Sequence, residues 1–236
     1  MSVNNTKIEW TDRSWNPLTG CENTCIYCFA RKITHRFPKN FPAGFKPYFY
    51  PERLIDPYRI RGSKKIFTCS MSDFFGAWNE SWWQEHILKV IGENPQHQFQ
   101  ILTKCPENIP NVAREFPPNI WVGTTITGKE DESVIRRRIE SVNRLNKNYK
   151  ADGVRFISFE PLLGDPDING HLDFLGLDWI IIGQQTNPTV KSEKVWLQKI
   201  IAEAARCDIP VFMKNNLWNT ITEYGFGFRQ EFPRCH

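Results

Sequence analysis

Short apolar runs recur along the chain with helix-like segments between them, and this alternation limits the fold more than any other feature. Runs at 65–69, 98–103, 119–124, 153–159, 178–183 and 209–214 have strand length and β-branched or aromatic character. A further short strand is expected near 15–18. Between the runs, Ser81-Trp82-Trp83-Gln84 reads as a capping box opening a helix to about residue 92. Helices are also expected near 107–116, over 130–147 and over 192–206. A short helix at 29–37 is stopped by Pro38 and Pro42. Strands alternating with helices mean βα units and a parallel sheet. Polar residues follow the strands at their C-terminal ends, where a (β/α) barrel carries its site. No Gly-x-Gly-x-x-Gly loop follows the first strand, which disfavours a dinucleotide fold. The expectation is an α/β chain, a partial (β/α) barrel of six to seven parallel strands in one domain over 1–236. The segment 29–63 reads as an insertion closing one side, and 215–236 as an irregular tail.

The chemistry concentrates in Cys21-Glu22-Asn23-Thr24-Cys25-Ile26-Tyr27-Cys28, with three thiols in eight residues spaced Cys-x-x-x-Cys-x-x-Cys. Thiolates hold iron–sulfur clusters, and a cubane normally takes four. Three ligands leave one iron open to a small molecule, as a catalytic cluster requires. The competing reading is zinc, with His35 completing a Cys3His set, although no second short ligand pair follows later in the chain. The spacing, with Tyr27 before the third cysteine, resembles the signature loop of the radical S-adenosylmethionine (SAM) enzymes. That resemblance implies a [4Fe–4S] cluster on Cys21, Cys25 and Cys28 and S-adenosyl-L-methionine as cosubstrate. It also implies cleavage of SAM to a 5′-deoxyadenosyl radical that takes hydrogen from a substrate, with an electron donor such as a flavodoxin or ferredoxin.

The resemblance extends along the chain through Ile8-Glu9-Trp10-Thr11-Asp12, Met71-Ser72-Asp73-Phe74-Phe75, Leu102-Thr103-Lys104, Trp121-Val122-Gly123-Thr124, Phe159-Glu160-Pro161-Leu162-Leu163-Gly164 and Asp178 to Gly183. In this order the motifs resemble the phage Gp37/Gp68-like radical SAM family. Two features depart from many of its members. The gap between the first two cysteines is three residues, and Gly183-Gln184-Gln185 stands where Gly-Gly-Glu is common.

Chemistry and resemblance together suggest roles at the strand ends. Ser70, Ser72 and Asp73 offer acceptors for the SAM ammonium, and Lys104 a cation for its carboxylate. Thr124 and Thr125 suit the ribose. Glu160 suits the ribose or the substrate, and Gln184 and Gln185 suit base edges. The bland readings stand beside these: Asp73 as a turn cap, Lys104 as a solvated group, and Glu160 as half of a structural ion pair. Cys69 and Cys105 lie at strand ends where a thiol returns a hydrogen atom to a radical, or they are inert buried cysteines. Cys207 reads as structural, and Cys235 lies in the tail.

Seven cysteines without a secretory signal point to a reducing compartment, and the expectation is cytoplasmic, the host's if the chain is phage-encoded. No uncharged apolar stretch has the length of a membrane span, so no membrane partner is expected. Charge is uneven. Between residues 29 and 65 ten basic residues face two acids, a local +8 in a chain of net +4. Phe37, Phe41, Phe45, Tyr48, Phe49 and Tyr50 are interleaved with them. Basic residues among aromatics suit phosphates and unstacked bases, so a nucleobase-containing substrate or nucleic acid is the expected partner. The alternative is a loop with solvated basic stems over a small aromatic core. Arg136-Arg137-Arg138 reads as a solvated helix face beside Glu132 and Glu140. Three classes remain open: a radical SAM enzyme on a base, one on another small molecule or peptide, and a zinc-stabilised nucleic-acid-binding protein without catalysis.

Overall fold

A computed structural model describes residues 3–112, 116–148, 153–167 and 169–233. Cys235 and part of the helix expected near 107–116 lie outside them. The chain forms two compact units, one running to Trp121 and the other beginning at Val122.

In the first unit, β1 (Val3–Asn5), β2 (Arg13–Trp15), β5 (Lys65–Thr68) and β6 (Gln98–Thr103) lie side by side in that order. β1 is antiparallel to β2, whereas β2, β5 and β6 are mutually parallel, with Trp15 opposite Thr68 and Thr68 opposite Ile101. β3 (Leu18–Thr19) and β4 (Tyr48–Phe49) pair antiparallel as a separate two-stranded sheet. Helix α1 (Phe29–Arg36) follows the cysteine loop, α2 (Ser81–Gly92) follows β5, and α3 (Ile109–Val112) follows β6. Fully buried Trp15, Ile66, Phe74, Phe75, Ile87, Ile91, Phe99 and Ile101 form its interior.

The capping box is not made. Glu80 precedes α2 without a side-chain cap. Gln84 is buried, so its amide donates instead to the Phe74 carbonyl at 2.7 Å, tying α2 to the loop after β5. A buried amide needs a partner, and the nearest carbonyl outcompetes a return to the helix end.

In the second unit, β7 (Ile120–Thr125), β8 (Arg155–Phe159), β9 (Trp179–Ile182) and β12 (Val211–Met213) lie in that order, each pair parallel. β10 (Gln185–Thr186) and β11 (Thr189–Val190) form a small hairpin absent from the sequence reading. Helices α4 (Glu132–Asn148) and α5 (Lys194–Arg206) cover one face. Ile157, Phe159, Ile180, Ile182, Val211 and Met213 pack there against Ile135, Ile139, Val142, Leu197, Ile200 and Ala204. Glu130, expected inside α4, instead accepts from the Thr127 N–H and hydroxyl just before it. Arg138 is not solvated either. It reaches Glu130 at 2.8 Å and the Thr125 carbonyl at 2.9 Å.

The tail is more ordered than its composition suggests. A 3-10 turn at Asn215–Leu217 leads into α6 (Trp218–Glu223). Residues 229–231 then bond to the open edge of β12, including the Glu231 N–H to the Val211 carbonyl at 3.1 Å. Unpaired strand edges are a liability, and this segment covers one. Among the described residues no helix is long and apolar enough to cross a membrane.

His97 sits fully buried just before β6, its ring edge-on to Phe99. Burial holds its pKa below the usual 6.5, nearby Lys64 adds to this, and the Pro57 carbonyl opposes it. The folded state therefore binds fewer protons than the unfolded chain below that value. Stability from neutral His97 is complete above about pH 6.5 and is lost as pH falls through that value toward the folded pKa. Urea unfolding at pH 7.5 and pH 5 should show this loss, and His97→Leu should flatten it.

Candidate functional site

The cysteine loop leaves the C-terminal end of the β2–β3 segment and is held at four points within the first unit. At its entrance the Gly20 N–H donates to the Met71 carbonyl at 2.9 Å, and the Ser72 hydroxyl donates to the Gly20 carbonyl at 2.6 Å. On the other side the Cys21 N–H donates to the Phe45 carbonyl at 3.2 Å. Gly20 has φ +82°, and a Cβ there would lie 2.0 Å from the Lys46 carbonyl oxygen. Only glycine allows both the left-handed turn and this approach of two backbones.

In the middle of the loop, Asn23 donates to Asp73 at 3.0 Å, and its carbonyl accepts from Arg31 at 3.0 Å. The Arg31 guanidinium also lies over the Phe45 ring. Near its end Tyr27 meets the Lys104 ammonium through its hydroxyl and its ring face. Cys28 then caps α1, its sulfur accepting the Arg31 N–H at 3.4 Å. A thiolate there meets the positive end of a helix dipole. The Cys21 sulfur accepts the Asn23 N–H at 3.4 Å. Burial pushes the free Cys21 thiol up to about 12, with Asp73 and Cys25 adding to this and Asn23 opposing. Metal coordination would deprotonate it outright.

Three thiols on one loop are a donor set that a cubane cluster takes, one iron to each. Among the described residues, Asp173, Glu203 and Cys207 bring three possible ligand atoms within 4.8 Å of one another. His35, the alternative zinc ligand, is exposed on α1.

The remaining expected residues sort by position. Asp73 is buried and accepts from Thr103 at 2.5 Å and Phe75 at 3.3 Å on one oxygen, and from Lys104 at 2.8 Å and Asn23 at 3.0 Å on the other. Burial raises its pKa, opposed by these four donors. They engage the carboxylate within the chain, so Asp73 joins three segments and has no direction left for an ammonium. Ser70 donates to Asn16 at 3.0 Å, beside the Met71 N–H on the same oxygen. Cys69 is 2% exposed, with φ 61° and its thiol pushed up by burial. Cys105 is half-buried at the end of β6, its N–H donating to Thr103.

In the second unit the period of two decides which way each strand-end residue faces. Thr124 lies opposite Ile157 of the helix-packed face, whereas Thr125 lies opposite Ser158 on the other. Glu160 continues the Phe156–Ser158 face and Lys214 the Phe212 face, both away from the helices. Their side chains form an ion pair. Gln184 follows Ile182 toward the helices, where its backbone exchanges bonds with Asn216 at 3.3 and 2.8 Å, and its side chain accepts from Thr220 at 2.9 Å. Gln185 belongs to the β10–β11 hairpin and donates to the Pro188 carbonyl. Lys214 was missed by the sequence reading, although the alternation Phe212-x-Lys214 at a strand end carries the signal.

The insertion divides in two. Arg31 and Arg53 are structural, Arg53 donating to the Asn16 carbonyl at 2.8 Å while lying over Tyr50. Phe49 and Tyr50 are buried, and Phe49 packs on Trp82 and Trp83. Arg36, Lys39, Lys46, Phe37 and Tyr48 remain exposed.

Residues 5–224 match the family described as "Protein of unknown function (DUF5131)". The chain belongs to that family. No curated protein matches this DUF5131 chain. Its fold resembles solved structures of spore photoproduct lyase variants. One, with bound AdoMet and dinucleoside spore photoproduct, is 12% identical with TM-score 0.54, over 86% of this chain and 64% of that one. A second, with dinucleoside spore photoproduct, is 13% identical with TM-score 0.53, over 86% and 63%. A third is 13% identical with TM-score 0.52, over 77% and 58%. The DUF5131 chain thus spans less than two thirds of these proteins. The likeness establishes the fold class, an α/β partial (β/α) barrel with seven parallel strands.

Gly20→Ala should cost more than the roughly 1–3 kcal/mol of left-handed strain alone, because two backbones must separate. Urea unfolding should show this loss. Cys21 should be alkylated faster than in the wild type, because its burial depends on that approach.

Proposed function

We propose that this chain is a radical SAM enzyme whose Cys21, Cys25 and Cys28 hold a [4Fe–4S] cluster with one iron open to SAM. The observation that carries the proposal is the cysteine loop itself. Its three thiols stand in a Cys-x-x-x-Cys-x-x-Cys loop braced by bonds to Met71, Phe45, Asp73 and Arg31. The fold likeness supports it, since one of the similar structures holds AdoMet. A cluster held by Cys21, Cys25 and Cys28 would supply one-electron reduction of SAM, the chemistry that initiates hydrogen abstraction from a substrate. A flavodoxin- or ferredoxin-type donor supplies that electron.

The chain's own residues then take distinct tasks. Asp73 and Gly20 position the loop, and neither touches SAM. Ser70 and Ser72 keep hydroxyl lone pairs for an ammonium, and Lys104 on Tyr27 offers a cation for a carboxylate. Thr125 is the better ribose partner, because Thr124 faces the helices. Cys105 is better placed than buried Cys69 to return a hydrogen atom.

For the substrate we propose a nucleobase-containing molecule, gripped through phosphate by Arg36, Lys39 and Lys46. Phe37 and Tyr48 are exposed for stacking. The dinucleoside in two of the similar structures and the phage-type family resemblance support this choice.

Anaerobically reconstituted protein should carry about four irons and form 5′-deoxyadenosine on reduction with SAM. The Cys21→Ala/Cys25→Ala/Cys28→Ala variant should lose both. Stoichiometric zinc without iron in the wild type would sink the proposal. Replacing Arg36, Lys39 and Lys46 with Ala should weaken polynucleotide binding and reduce the slope of log K against log salt by up to about 2.7, with SAM binding retained. Wild-type affinity for polynucleotides that does not vary with salt would remove the phosphate grip.

A further inference from the structure

We propose that Lys214 and Glu160 together read the hydrogen-bonding edge of a nucleobase that places a carbonyl beside a ring N–H; this rests on the nucleobase reading above. Glu160 follows β8 and Lys214 follows β12, the strands on either side of β9. Both continue the face turned away from α4 and α5. In (β/α) architectures the C-terminal ends of the strands carry the site.

Gly183, at the end of β9, leaves room for the pair. A Cβ there would lie 3.0 Å from Lys214 Cδ and 3.3 Å from Glu160 Cγ. Without it the two side chains meet across the top of β9. The Lys214 side chain is 16% exposed and that of Glu160 is 26% exposed, so a ligand can reach them, yet both are largely out of bulk water. Glu160 Oε1 is the acceptor of the Lys214 ammonium, which has three donors in all. Donors thus remain on Lys214, and Oε2 on Glu160 remains as an acceptor.

A half-buried ion pair adds little stability compared with an apolar pair of the same shape. This one stands at a strand end facing away from the helices, where recognition is a use for it. Its net charge is zero, which selects the ligand. A phosphate or carboxylate on Lys214 would meet the charge of Glu160. A neutral group with an acceptor beside a donor meets both partners correctly, its carbonyl accepting from Lys214 and its ring N–H donating to Glu160. Uracil, thymine, guanine and hypoxanthine present such an edge. One layer below on the same face, the Ser158 hydroxyl is fully buried with no hydrogen-bond partner among the described residues. This face therefore carries more polar capacity than the chain itself uses.

The test is equilibrium binding of unphosphorylated nucleosides to the protein. Uridine or guanosine should bind at least about tenfold tighter than N3-methyluridine or N1-methylguanosine, which lack the ring N–H. Inorganic phosphate should not compete. Lys214→Met and Glu160→Gln should each weaken nucleoside binding about tenfold while leaving the melting temperature near wild type. The methylated probes need no variant, so a misfolded substitution leaves the test intact. Equal binding of the methylated nucleosides, competition by phosphate, or undiminished binding by both variants would overturn the inference. SAM cleavage without nucleoside binding would overturn it too, while leaving the enzyme class standing. Selective nucleoside binding lost in both variants, in a protein that never cleaves SAM, would sustain the inference and sink the radical reading.

Discussion

A single buried carboxylate holds the candidate site of the first unit together. Asp73 has been taken out of water, and an ionised group there is tolerated only if its lone pairs are satisfied. Thr103 and Lys104 come from the end of β6, Phe75 from the turn after β5, and Asn23 from the cysteine loop. Three segments far apart in the chain are thereby brought to one point. Four hydrogen bonds converging on one carboxyl group from three segments give the loop a defined seat. Gly20 complements this from the other end, because backbone on both sides closes on it where no side chain fits.

In the second unit the organising constraint is the two-residue period of the strands. One face is filled by aliphatic side chains under α4 and α5, so a polar residue on that parity is enclosed by the fold. Thr124 and Gln184 fall there. Thr125, Ser158, Glu160 and Lys214 fall on the other parity. Gly183 then lets Glu160 and Lys214 approach over the end of a strand, a contact that any larger residue would crowd.

The basic, aromatic insertion is both scaffold and surface. Arg31 and Arg53 spend their charge on loop carbonyls and aromatic faces, and Phe49 and Tyr50 build a small core. Charge that composition alone credits to ligand binding is thus partly consumed inside the protein. What remains exposed to a partner includes Arg36, Lys39 and Lys46, together with Lys32, Arg59 and Arg61.

The alternation of strands and helices, the parallel sheet and the cysteine loop were legible in the residues, because each is encoded by spacing within a few positions. Other features depended on segments distant in sequence. Gln84 left its expected cap for the Phe74 carbonyl, and the tail became ordered because β12 had an open edge. Asp73 changed from a candidate ligand into a brace once its four donors were assembled. Lys214 and Glu160 are 54 residues apart, and nothing local to either announces the other. Periodicity tells which way a side chain points. Only the folded chain brings its partner within hydrogen-bonding distance, since that distance depends on how every intervening segment packs.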